Sequence, residues 1–313
     1  MDKFFKVKGT NKISSRIGIG GAPCGGHGWG QRNDASAIEG LLTGLENGIN
    51  LYDTADCYGL GNAEKILGHA IKESKVNRDL LTISTKGGVA WDEQCRVYKD
   101  SSPAYIEKAV DKSLERLGLD YIDIYYLHWT DGKTPIEETF EKLIEIKKVG
   151  KIKSLGVSNL SESEIDKINN LELSALQIKG NLLEPTEIYK FEPLAKKINA
   201  SLITFSTLAD GILTGKFDES TKFDKEDHRN RYPLFKKDIY DLCLEKVKLI
   251  KNLSSEYNAT ISQIAIRWVL ETKGVDAILF GSISKRNILN NIKALEIDFD
   301  EYLYEKLSQK IKL

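Results

Sequence analysis

What most constrains the fold of this 313-residue chain is a repeated alternation: eight times, a short strand-forming run is followed by a segment with helical periodicity. The strand runs lie at 16–20, 49–54, 80–85, 121–127, 152–157, 174–178, 201–205 and 277–280. The fourth, reading IDIYYL at its centre, is apolar on both sides and suits a sheet covered on both faces. Helical spacing follows at 34–47, 62–74, 103–118, 134–150, after 161, at 188–199, at 240–256 with 262–272, and at 286–295.

Local signals sharpen the boundaries. Gly48 and Gly118 stand where helices should stop, and Pro103 stands at a first helical position. Asn62 is an expected N-cap, and Thr134–Glu137 and Ser161–Glu164 read as capping boxes. Residues 5–13, with Gly9-Thr10-Asn11 at the centre, predict a hairpin; residues 87–102 predict a loop.

Parallel strands joined by helices must be covered on both faces, and eight such units can close on themselves. The expectation is therefore one α/β domain over 1–313: a (β/α)8 TIM barrel, with the N-terminal β-hairpin plugging the bottom and long loops over the C-terminal mouth. An open doubly wound sheet usually carries G-x-G-x-x-G leading straight into a helix. Here the glycines after the first strand are followed by His27, Trp29 and Gln31 and lead into a loop.

The 45 Lys and Arg against 46 Asp and Glu, for a net charge of −1, give no electrostatic case for nucleic acid or an anionic membrane as partner. No apolar run approaches the roughly 20 residues of a membrane-spanning helix, and the start is too charged for a secretory signal. Cys24, Cys57, Cys95 and Cys243 are scattered, without metal-ligand spacing. The reading is a cytoplasmic protein with reduced thiols, either a monomer or a homo-oligomer, and no metal.

In a (β/α)8 barrel, function collects at the C-terminal strand ends. Those positions hold Asp53, Lys86, His128, Ser158-Asn159, Gln177, Ser206 and Gly281-Ser282, with Tyr58 on the loop after Asp53. A carboxylate at a buried strand end needs a cation, and a phenol on the next loop could use the same cation to lower its pKa. An Asp, a Lys and a His on three consecutive strand ends converge on one pocket.

The segments INLYDTADCYG, STKGG, SLERLGLDYIDIYYLHW and IKSLGVSN, and more loosely FSTLADGILTGKF and GSISKRNILNNIKAL, resemble the aldo-keto reductase superfamily over essentially the whole chain. The short tail after Ile297 is similar to its bacterial branch. The resemblance maps the catalytic tetrad onto Asp53, Tyr58, Lys86 and His128. It implies an NADPH-dependent oxidoreductase that reduces an aldehyde or ketone, sugar-derived carbonyls included, with Tyr58 as proton donor. Lys86 would favour the phenolate, Asp53 would hold Lys86, and a neutral His128 would hydrogen-bond the substrate oxygen.

The family binds NADPH extended across the barrel mouth, with NADH the less favoured partner. By resemblance Ser158, Asn159 and Gln177 hold the carboxamide, and Ser206, Leu208 and Gly211 lie on the loop over the pyrophosphate. Gly281, Ser282, Asn287, Asn290 and Asn291 surround the adenosine end, where Lys285 and Arg286 suit a 2′-phosphate. Three departures stand out: Gly180 where the family stacks an aromatic residue on the nicotinamide, Thr207 where proline is usual, and Asn290 where glutamate is usual. The loops at 21–31, 89–101 and 210–237 would shape the substrate pocket, lined by Trp29, Trp91, Trp129 and Tyr232. The run His228-Arg229-Asn230-Arg231 could instead meet an anionic substrate such as a nucleotide sugar. A reading from another class keeps the fold but makes the chain an NADP(H)-binding, redox-sensing regulatory subunit with little turnover.

Overall fold

The computed structural model describes residues 1–26, 28, 29 and 33–311; His27, Gly30, Gln31 and Arg32 of the predicted glycine-rich loop lie outside the described residues. Strands β1 (Phe4–Lys6) and β2 (Ile13–Ser15) pair antiparallel as the expected hairpin. Eight strands then close a parallel barrel: β3 (Ile17–Gly20), β4 (Leu51–Asp53), β5 (Thr82–Gly87), β8 (Ile122–Leu127), β9 (Ile152–Ser158), β10 (Leu173–Lys179), β11 (Ser201–Phe205) and β12 (Val275–Gly281). Between β5 and β8, residues expected to be plain loop form an antiparallel ribbon, β6 (Val89–Trp91) with β7 (Val97–Lys99). Its strands are three residues each, too short for alternation to stand out in sequence.

The helices are α1 (Asp34–Glu46), α2 (Asn62–Ser74), α3 (Pro103–Leu117), α4 (Ile136–Lys148), α5 (Glu162–Asp166), α6 (Thr186–Lys197), α7 (Lys237–Glu256), α8 (Ile261–Glu271), α9 (Lys285–Ile292) and α10 (Glu301–Lys310). None is long and apolar enough to cross a membrane, among the described residues. Helix α10 occupies what the sequence reads as a short tail. It packs on α8 through the stacked Trp268 and Tyr304 rings, 5.6 Å apart, and the Trp268 Nε1 hydrogen bond to Ser308 Oγ at 2.9 Å.

Two of the predicted caps are corrected. Gly61, at φ +90°, bounds α2, which makes Asn62 its first helical residue rather than its cap. Before α4 the Thr134 hydroxyl donates to Asp131 Oδ2 at 2.8 Å, and Pro135 is the boundary residue, so no box forms there. The Ser161–Glu164 box does form, on a helix of five residues. The third barrel strand also runs later than its apolar pattern, because Arg78–Leu80 form a 3₁₀ turn and leave Leu80 63% exposed. Lys86 therefore lies inside the strand.

The barrel interior is filled by Leu51, Ile124, Tyr126, Ala175, Ile203, Ala277 and Leu279, with Val7 from the hairpin in the same cluster. The hairpin closes the N-terminal end as expected. Close packing there depends on Gly18: a Cβ would sit 2.7 Å from both Leu51 and Leu279. The second, larger core lies between the barrel's outer face and the helices.

Candidate active site

Strand register builds the centre of the barrel mouth. Asp53 stands opposite Ser84 across β4 and β5, and Lys86 lies two residues beyond Ser84 and so on the same, inward face. Lys86 Nζ donates to Asp53 Oδ2 at 2.5 Å and to the Thr54 carbonyl at 2.8 Å. The other Asp53 oxygen accepts from Ser84 Oγ at 2.7 Å and from Gln177 Nε2 at 2.9 Å. Asp53, Lys86 and Gln177 are all buried. A buried ion pair survives only with such full hydrogen bonding.

Tyr58 and His128 complete the group. The Lys86 ammonium lies 5.1 Å from the Tyr58 ring centre, and the Tyr58 and His128 rings meet edge to face with centroids 5.8 Å apart. The His128 amide donates to the Gly87 carbonyl at 2.8 Å, which ties it to the end of β5. Burial, helped by the Lys86 and Lys99 charges, holds His128 well below the ordinary histidine value, so the imidazole is neutral, as the sequence reading expects. Tyr58 departs from expectation. Burial first, then the Asp53 charge, holds its phenol well above the usual value. Ionising the phenol here is costly, and Tyr58 stands as a protonated donor.

The expected nicotinamide-end residues join this same group. Asn159, at φ +56°, donates from Nδ2 to Ser158 Oγ at 3.1 Å and toward the His128 carbonyl at 3.4 Å. Ser158 Oγ reaches Gln177 Oε1 at 3.4 Å. Ser206, at φ +54°, donates to Asp210 Oδ1 at 3.0 Å; Leu208 begins, and Gly211 at φ +105° breaks, a 3₁₀ turn over Ala209–Thr214. A Cβ on Gly281 would lie 2.8 Å from the Pro23 ring, so the end of β12 abuts the first loop.

Where the sequence reading expects the adenosine end, a cavity of about 740 Å³ opens between α8 and α9. Of the residues expected there, Lys285, Arg286 and Asn290 line it; Asn287 is exposed on α9, Asn291 is buried beneath, and Ser282 is buried at the end of β12. Asn258, Thr260, Gln263, Leu289 and Lys293 also line it. Sequence reasoning missed these five. The cap signal of Thr260 with Gln263, a formed capping box, was there to find. Asn290, in place of the usual glutamate, donates to Ser262 Oγ at 2.9 Å and accepts from Gln263 Nε2 through its carbonyl at 2.8 Å. Thr207, in place of proline, donates to the Leu279 carbonyl at 3.0 Å. Gly180 is closed off: a Cβ would lie 2.6 Å from Ile188 Cγ1 on α6 and 3.1 Å from Thr204 Cγ2.

The three tryptophans do not gather into one wall. Trp29 packs near His228, ring centres 6.3 Å apart, Arg116 lies 5.9 Å over Trp91, and Lys99 lies 4.1 Å over Trp129. Nor is the 228–231 run open to an anion at Arg229, whose guanidinium is committed to Asp227 at 2.8 and 2.6 Å and lies 4.4 Å over Phe223. Tyr232 is half-buried at the end of the 3₁₀ turn His228–Arg231, and burial pushes its phenol up to about 12.

With this arrangement in view, comparison with known proteins decides the lineage. The sequence pattern of the Aldo/keto reductase family matches residues 16–312. The chain belongs to the aldo/keto reductase family. It is an oxidoreductase of that family. It is 35% identical to the aldo-keto reductase YhdN of Bacillus subtilis, over 90% of this chain and 85% of that one. It is 31% identical to the NADH-specific methylglyoxal reductase of Escherichia coli, over 97% and 98%. Among solved structures, the glycerol dehydrogenase of Gluconobacter oxydans superposes with a TM-score of 0.89 at 31% identity, covering 98% of this aldo/keto reductase and 94% of its own chain.

Proposed function

We propose that this chain reduces the carbonyl of a small aldehyde or ketone to the alcohol, with NADPH as reductant and Tyr58 as proton donor. The observation that carries the reading is the buried Lys86–Asp53 pair set beside Tyr58, with neutral His128 edge-on to the same phenol. NADPH, when held by these residues, would supply a hydride for the carbonyl carbon. The Tyr58 hydroxyl gives its proton to the carbonyl oxygen as charge develops there, and the phenolate left behind is reprotonated from solvent. Lys86 lies close enough to stabilise that phenolate, and Asp53, itself held by Gln177, fixes Lys86 together with the Thr54 carbonyl. His128, uncharged, donates an N–H to the same substrate oxygen.

The cofactor fits the residues present. Lys285, Arg286 and Lys293 bring three cations to the rim of the α8–α9 cavity, and the N-terminus of α9 adds backbone donors. That chemistry suits a phosphorylated adenosine and favours NADPH over NADH, although the similar methylglyoxal reductase is NADH-specific by name. Ser158, Asn159 and Gln177 would hold the carboxamide, and the Ser206–Gly211 turn would border the pyrophosphate. Tyr232 and Trp29 are the aromatic groups best placed to meet substrate; Trp91 belongs to the ribbon and α3.

The test is NADPH oxidation with a panel of short 2-oxoaldehydes, hydroxyketones and aldoses, alongside a fluorescence titration of NADPH. Turnover with a panel member supports the proposal. Tight NADPH binding with no turnover on any of them would favour a regulatory nucleotide-binding role.

A further inference from the structure

Beside the proposed proton donor lies a group the reaction does not use. Cys57, immediately before Tyr58, places Sγ 3.8 Å from Nδ1 of His128. One ligand atom from each of Asp56, Cys57 and His128 lies within 4.8 Å of the others. Asp56 is 1% exposed; its Oδ2 accepts from the Tyr105 hydroxyl at 2.8 Å, while its Oδ1 is buried without a hydrogen-bond partner. A carboxylate oxygen left unpaired in the interior is costly unless something comes to meet it.

We propose that Cys57, His128 and Asp56 form a binding site for a thiophilic divalent cation, zinc foremost, beside Tyr58, and that its occupancy switches the reductase off. Around a tetrahedral zinc, a sulfur at about 2.3 Å and an imidazole nitrogen at about 2.0–2.1 Å stand about 3.6 Å apart, so the Cys57–His128 spacing is nearly preformed. A closing movement of about 1 Å by the Asp56 carboxylate supplies the third ligand at zinc–oxygen distance. Tyr105 holds that carboxylate from behind, as outer partners of metal ligands commonly do. A soft thiolate with an imidazole and one carboxylate selects zinc over magnesium or calcium.

Binding exchanges protons for the cation: the Cys57 thiol and the Asp56 carboxyl, which burial pushes up to about 8, release their protons to solvent as Sγ and the carboxylate oxygen take the cation, and neutral His128 gives its Nδ1 lone pair. Tyr58 follows Cys57 directly in the chain, and its ring meets the His128 ring edge to face with centroids 5.8 Å apart. A cation there adds positive charge next to the Lys86 ammonium and draws the phenol oxygen as a ligand, which removes the proton donor. This second half of the proposal rests on the reductase reading above; the binding half does not.

Cobalt(II) added to the nicotinamide-free protein tests binding without turnover. The expected result is one equivalent bound per chain with a sulfur-to-cobalt charge-transfer band, bleached by zinc, absent in Cys57→Ala and kept in Cys95→Ser, which removes the exposed thiol. No band, or the same band in Cys57→Ala, overturns the site. For the inhibitory half, zinc should suppress NADPH oxidation reversibly with a chelator, and Cys57→Ala should need about tenfold more zinc for the same suppression. Equal sensitivity of the two proteins overturns that half.

Discussion

Lys86 and Asp53 meet at 2.5 Å between neighbouring barrel strands, where neither charge could remain alone, since their side chains are 1% and 5% exposed. Removing one partner strands the other in the interior, which costs about 3–5 kcal/mol in comparable buried pairs. Lys86→Met should lower stability by an amount in that range in urea unfolding, and should abolish carbonyl reduction as well. A stable Lys86→Met protein with unchanged turnover would remove the pair from both accounts.

The barrel and this pair were legible in the sequence because the barrel strands are short apolar runs, most of them ending in a chemically distinctive residue. Asp53, Lys86 and His128 fall at three such ends. Part of what was not legible came from partners distant along the chain. Gln177 donates to Asp53 across 124 residues, and Tyr105 to Asp56 across 49, with no local pattern to announce either. The β6–β7 ribbon was too short to alternate, and Arg229, which looked available for an anion, is held by Asp227 two residues away. The direction of the Tyr58 shift depends on burial, which the sequence around it does not state.

Gly180 tests whether the missing aromatic residue leaves usable space. Because a Cβ would lie 2.6 Å from Ile188, Gly180→Ala should cost about 1–3 kcal/mol from overpacking, read as a lower unfolding midpoint. Pairing it with Ile188→Val should recover part of the loss. A neutral Gly180→Ala would mean that α6 yields easily at this contact.

Cofactor choice can be read at the α8–α9 cavity. Lys285→Ala and Arg286→Ala should each raise KM for NADPH about tenfold, about 1.4 kcal/mol of lost phosphate contact, while changing KM for NADH little. Equal effects on both nucleotides would assign these side chains to general binding.

Acid stability depends on Asp131. Burial alone would raise its carboxyl, but hydrogen bonds from the Thr134 and Lys133 amides at 2.7 and 2.8 Å, with others from the Thr134 hydroxyl and Ser101, outweigh it and hold the carboxyl well below the usual range. A depressed folded-state value gives stability that is present above about pH 4, the unfolded carboxylate range, and is lost as pH falls below it. Asp131→Ala should therefore be less stable than wild type at neutral pH by about 1–3 kcal/mol, with the gap narrowing at pH values below about 4. A gap independent of pH would show that the loss is one of packing.

The most direct measurement concerns Tyr58. Tyr58→Phe removes one hydroxyl and keeps the ring against His128 and the Lys86 ammonium. With NADPH and a carbonyl that wild type reduces, the account predicts unchanged NADPH binding by fluorescence and a fall in kcat of about 10²–10⁴-fold, the range for a lost general acid. Wild-type kcat in Tyr58→Phe would contradict it.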